Sequence, residues 1–207
     1  MIKKIVGLFI LAGLMLPVAA NASTINPAYG TTSSQTGTSP GYTFGIVFTP
    51  VVNIYVDYLG YYDPTGGLNA SHQVAIFNSG GTNVTGTQTI TNGSSLYDGF
   101  YYNSITTVEL SAGQTYVLDG FSSTDDYGAI STGNKIADGF TVNSGITIDG
   151  DNFVKESFAD TTTAYTTQNN YLGADFGFSE TPEPSTLLLL GSGLAGLASL
   201  LKRKLSA

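Results

Sequence analysis

The stretch "YTFGIVFTPVVNIYVDYLGYYD", Tyr42–Asp63, decides the fold. In its first part Phe44, Ile46 and Phe48 alternate along the chain; in its second, Val52, Ile54, Val56 and Tyr58 alternate against Val51, Asn53, Tyr55 and Asp57. A period of two is that of a half-buried β-strand, whose successive side chains point to opposite faces. Further short runs of the same kind follow at residues 73–78, 84–90, 105–110, 116–121, 136–142, 153–158 and 171–178, and none of the stretches between them has a helical period.

The punctuation between the runs favours antiparallel pairing. "NSGGTN" after Phe77, "TNGSS" at Thr91–Ser95 and "SAGQ" at Ser111–Gln114 place Gly and Asn where tight corners need them. About nine strands, each closed by a turn signal within about ten residues, predict an all-β fold, an antiparallel two-sheet β-sandwich of jelly-roll type. Phe44, Ile54, Val74, Ile76, Val108, Tyr116 and Leu118 are the expected core between the sheets. "LGYYDPTGGLNASHQVAIFNSGG", "VELSAGQTYVL" and "YLGADFGF" resemble a pattern found in exported β-sandwich modules. The sandwich is expected over 41–179. The Thr-, Ser- and Gly-rich segment 23–40 is expected to be a flexible lead-in, and Asp160–Asn170 a surface loop.

The two ends carry different instructions. Lys3 and Lys4 precede an apolar run from Ile5 to Leu16, and Ala20-Asn21-Ala22 offers signal peptidase the small-x-small pattern through Ala20 and Ala22. Residues 1–22 are therefore expected to be a cleaved signal peptide. At the other end, over 180–207, Pro182, Glu183 and Pro184 precede an apolar segment, Leu187–Leu201, and the basic run Lys202, Arg203 and Lys204. As a helix that segment reaches only about 22 Å, short of a hydrocarbon core of about 30 Å. The three bases would snorkel and stay cytoplasmic, leaving everything before Pro182 outside. The expectation is a marginal transmembrane helix that serves as a temporary handle in the inner membrane.

"PEPST", the apolar segment and "KRK", in that order, resemble the PEP-CTERM sorting signal of exopolysaccharide-producing Gram-negative bacteria. The resemblance implies a partner, an exosortase-type membrane processing enzyme that reads Pro182, Glu183 and Pro184, removes the tail and passes the protein to the cell surface or extracellular matrix. The physical chemistry of the motif agrees, because two prolines withhold backbone donors and keep the segment extended and accessible.

Charge and residue inventory narrow the functions further. Over Ser23–Thr181 only Lys135 and Lys155 remain against fourteen acids, a net −12, which argues against nucleic acid as a partner. The chain has no cysteine and a single histidine, His72, so a thiolate or polyhistidine metal site is excluded and no catalytic residue is assigned. His72 is expected on the surface or in a loop. Asp125 and Asp126 are neighbours and would point to opposite faces, unlike the opposed carboxylates of a glycosidase. No cofactor is expected; calcium is the one ion that loop carboxylates such as Asp57, Asp63, Asp119, Asp125 or Asp126 would suit, and "DGDN", Asp149–Asn152, begins like a calcium loop without completing it. Tyr58, Tyr61, Tyr62, Tyr101 and Tyr102 would suit an extracellular polysaccharide if they met on one exposed face. The reading is an exported, non-enzymatic surface or matrix protein, with a carbohydrate-binding or adhesive module and a secreted glycan hydrolase as alternatives.

Overall fold

The computed structural model describes residues 25–31, 36–38, 41–63, 66–124, 126–130, 140–155, 157–162, 165–167 and 170–180. They form fifteen strands: β1 (Tyr29–Thr31), β2 (Thr36–Thr38), β3 (Thr43–Pro50), β4 (Ile54–Tyr62), β5 (His72–Asn78), β6 (Gln88–Ile90), β7 (Ser95–Tyr97), β8 (Phe100–Leu110), β9 (Tyr116–Phe121), β10 (Asp126–Ile130), β11 (Phe140–Val142), β12 (Ile146–Val154), β13 (Tyr165–Thr167), β14 (Asn170–Leu172) and β15 (Ala174–Glu180). No helix occurs among the described residues, and none there is long and apolar enough to cross a membrane.

The strands pair antiparallel throughout, as a β-sandwich requires. A six-stranded sheet in the order β13-β12-β3-β9-β5-β6 lies against a four-stranded sheet in the order β15-β4-β8-β7. Smaller sheets, β1-β11 and β14-β10-β2, complete the pairing. The alternation at Phe44, Ile46 and Phe48 survives intact: Ile46 and Phe48 enter the core, where the Phe48 ring lies 4.8 Å from that of Phe176 on the opposite sheet. Burying each such side chain contributes about 1.5–3 kcal/mol. Of the expected core, Phe44, Ile54, Val74, Ile76, Tyr116 and Leu118 are buried, and Val108 packs against the cluster half-buried.

In β4 the simple alternation stops halfway. Ile54 and Val56 face the core, then the pairing with β8 jumps from Val56↔Val108 to Tyr58↔Ser104. The irregularity at Asp57 shifts the parity of the strand, so that Leu59 and Tyr61, not Tyr58, continue the buried row. Nor do Val51 and Val52 belong to the strand: they form the turn between β3 and β4, and both are exposed.

Three expected boundaries move for related reasons. The strand expected at 153–158 is Ile146–Val154, and the polar "DGDN" lies inside it. A register shift between Ile148 and Gly150 lets Asp149 turn outward and accept a hydrogen bond from Thr49 at 2.7 Å, while Asn152 donates to the Thr161 carbonyl at 3.0 Å. The run at 105–110 begins five residues earlier, at Phe100. A two-residue turn precedes it, Asp98 and Gly99, both with positive φ (49° and 79°), the conformation that tight hairpins favour. Within the expected lead-in, Tyr29–Thr31 pairs with Phe140–Val142, and Ala28 and Tyr29 are buried in the core. Tyr29 and Ala28, with Ile25 packed beside them, dock an otherwise polar segment.

Candidate functional site: the sorting tail and the rim that carries it

β15 delivers the chain to its sorting segment. Phe176 and Phe178 anchor this strand in the core, and its last residues pair with the beginning of β4, Ser179 with Tyr55 and Glu180 with Ile54. Ser179 and Glu180 are exposed. Pro182 follows two residues later, within about 7 Å of chain from the last paired residue. Pro182, Glu183 and Pro184 themselves, the signal-peptidase residues Ala20 and Ala22, and the basic run Lys202, Arg203 and Lys204 lie outside the described residues.

Around Glu180 three turns form one rim. The Val51 N–H donates to the Gly145 carbonyl at 2.8 Å, and the Gly113 N–H donates to the Pro50 carbonyl at 2.8 Å. Asn53 joins two turns, its side-chain amide donating to Glu109 at 2.8 Å and its side-chain oxygen accepting from the Ala112 N–H at 2.9 Å. Glu180 packs over Gly145, where an added Cβ would stand 2.8 Å from the Glu180 Oε1. Val51 and Val52, 55% and 40% exposed, crown this rim.

Several of the groups that chemistry would use are placed elsewhere and enclosed. His72, expected at the surface, is fully buried: its ring stacks on Tyr61 with centroids 3.8 Å apart, and its Nδ1 lies 2.9 Å from the Phe121 carbonyl. The cause is strand parity, which puts His72 on the same inward face of β5 as Val74 and Ile76. Tyr61, Tyr62 and Tyr102 are buried too, so the expected tyrosines form no common exposed face; they fill the core, with Tyr58 and Tyr101 half-buried against it.

Two carboxyls inside the protein are strongly perturbed. Burial pushes Asp119 up to about 7, against the opposing effect of the Thr161 hydroxyl and N–H, which donate to it at 2.6 and 3.1 Å. This pair fastens the segment 157–162 across the outer face of the six-stranded sheet, helped by the Phe77–Phe158 ring contact at 6.3 Å. Burial likewise pushes Asp175 up to about 8, although the Tyr102 hydroxyl donates to it at 2.5 Å and the Phe176 N–H at 2.7 Å. Asp175 in turn raises Tyr102, whose own burial acts first in the same direction. The sequence offered no sign of either carboxyl's setting, because their depth depends on which strands become central.

Three of the carboxylates named for calcium, Asp57, Asp63 and Asp119, do not converge. Asp57 accepts from Thr107 at 2.6 Å, Asp63 from the Gly66 N–H at 2.9 Å, and Asp119 from Thr161, each on a different element. Asp125 lies outside the described residues, and among those described no three acidic or histidine side chains form a group that would hold a metal ion.

Comparison with known proteins bears on the tail. No curated protein matches the chain. The family model of the PEP-CTERM protein-sorting motif matches residues 180–204. That signal implies export through the membrane and processing by an exosortase, a membrane enzyme. The chain carries a PEP-CTERM protein-sorting motif, as PEP-CTERM domain-containing proteins do, and the motif begins on the last residue of the sandwich's final strand.

Proposed function

We propose that this chain is a non-enzymatic component of the cell surface or extracellular matrix, held briefly in the inner membrane by its tail and released to its destination when the tail is removed. The observation that carries the reading is the sorting motif at 180–204, joined without a spacer to a rigid antiparallel sandwich. A folded cargo followed at once by its address is the arrangement expected of a protein that is processed as a finished domain.

Three enclosed titratable groups are in keeping with the non-enzymatic part of this proposal. His72 serves as a core ring, while Asp119 and Asp175 hold the fold together through Thr161 and Tyr102. A general acid or base has to reach its substrate, and these groups are enclosed. The buried tyrosines likewise turn the reading away from an aromatic sugar platform and toward a structural or interaction role.

Glu183→Ala in the native host tests the proposal. The variant should accumulate in the inner-membrane fraction with its tail attached, while the unaltered protein reaches the surface fraction. Equal surface delivery of both would exclude the motif as the sorting determinant.

A further inference from the structure

The motif's closeness to the sandwich has a consequence for the enzyme that reads it. Glu180 is still paired with Ile54 in the sheet, and Pro182 is two residues on. At about 3.3–3.6 Å per extended residue, any cleft that encloses residues 182–184 stands within about 7–14 Å of chain from the rim. That short reach brings the enzyme close to the rim.

The rim is also built like a contact surface. Val51 and Val52 are exposed, yet the turn that presents them is fixed by the bonds from Val51 to Gly145 and from Asn53 to Glu109 and Ala112. A rigid apolar tip loses little conformational freedom when covered. Glu109 and Glu180 flank it, which suits a partner with an apolar hollow bordered by hydrogen-bond donors or basic groups.

We propose that the Val51–Val52 turn is a docking surface for the processing enzyme, which recognises the folded rim together with the motif. This rests on the sorting reading above and adds that the enzyme reads cargo as well as tail. The other exposed apolar pair, Leu96 and Tyr97, lies on β7, the far edge strand of the four-stranded sheet from β15, and supplies a built-in control.

Tail removal would be followed by pulse-chase in the native host, with the full chain. The double change Val51→Asp and Val52→Asp should slow it by about tenfold or more, whereas Leu96→Asp with Tyr97→Asp should leave it unchanged. Both pairs are solvent-exposed, and matching thermal melts would show that each variant is folded. A photo-crosslinking residue at position 52 should yield an adduct with the enzyme. Processing of the rim variant at the unaltered rate overturns the proposal, as does an adduct with lipid alone. Normal processing of Glu183→Ala would instead overturn the sorting reading on which it stands.

Discussion

Gly45 shows how tightly a single position can bind this fold. It faces Asp119 across the β3–β9 pairing, and the space a Cβ would need is already filled by the Thr161 hydroxyl and the Asp119 carboxyl. Gly45→Ala should therefore lift the 157–162 segment from the sheet and destabilise the protein by about 1–3 kcal/mol, read from the urea midpoint. An unchanged midpoint would mean that the segment is not fastened there. The same carboxyl gives the protein a pH dependence with a definite sign. Asp119 and Asp175 have ordinary values of 3.8 and are raised to about 7 and about 8 in the folded protein, so between those limits the folded state holds more protons than the unfolded. Stability is then greatest at the acidic end and declines as pH rises from about 4 through 7 and 8. The melting temperature should be higher at pH 5 than at pH 8, and Asp175→Asn should flatten the upper part of the profile. A melting temperature that rises from pH 5 to 8 would contradict the burial of both groups.

At the scale of the strand, the decisive feature is the irregularity in β4. Ile54 and Val56 occupy one parity and Leu59 and Tyr61 the other, with Asp57 between them accepting from Thr107 at 2.6 Å. Deleting Asp57 would leave Ile54, Val56, Leu59 and Tyr61 in one uninterrupted alternation, so cooperative unfolding should persist. Asp57→Ala, which keeps the residue count, should cost about 1 kcal/mol. Loss of cooperative unfolding in the deletion variant would show that the extra residue is itself needed to align β4 with its neighbours. This strand also marks how far its own sequence was legible. The period-two runs located β3, β5 and β9 because their alternation follows strand parity without interruption. β12 was hidden because "DGDN" has loop composition, and only the Asp149 shift and the Asn152–Thr161 bond explain how a strand accommodates it. His72 was misplaced because one histidine beside a polar glutamine gives no sign that the strand bearing it turns that face inward, onto Tyr61.

For the molecule as a whole, the sandwich and the sorting motif were both readable, for different reasons. The fold follows from a physical periodicity, whereas the tail is a short linear signal whose order of parts is itself the information. What could not be read was their junction. That β15 keeps Glu180 in register with Ile54 until two residues before Pro182, and that Val51 and Val52 crown the same rim, depends on pairings between residues more than a hundred positions apart. This junction makes processing a matter of removing the tail while leaving Phe176 and Phe178 in place, since a cut upstream of them would strip two rings from the core. The intact mass of the protein recovered from the native host's surface fraction tests this most directly. The surface form should lack Met1–Ala22 and the apolar and basic segments beyond the proline motif, and should retain β15 through Glu180. A surface form still carrying its full tail, or one cut within β15, would contradict it.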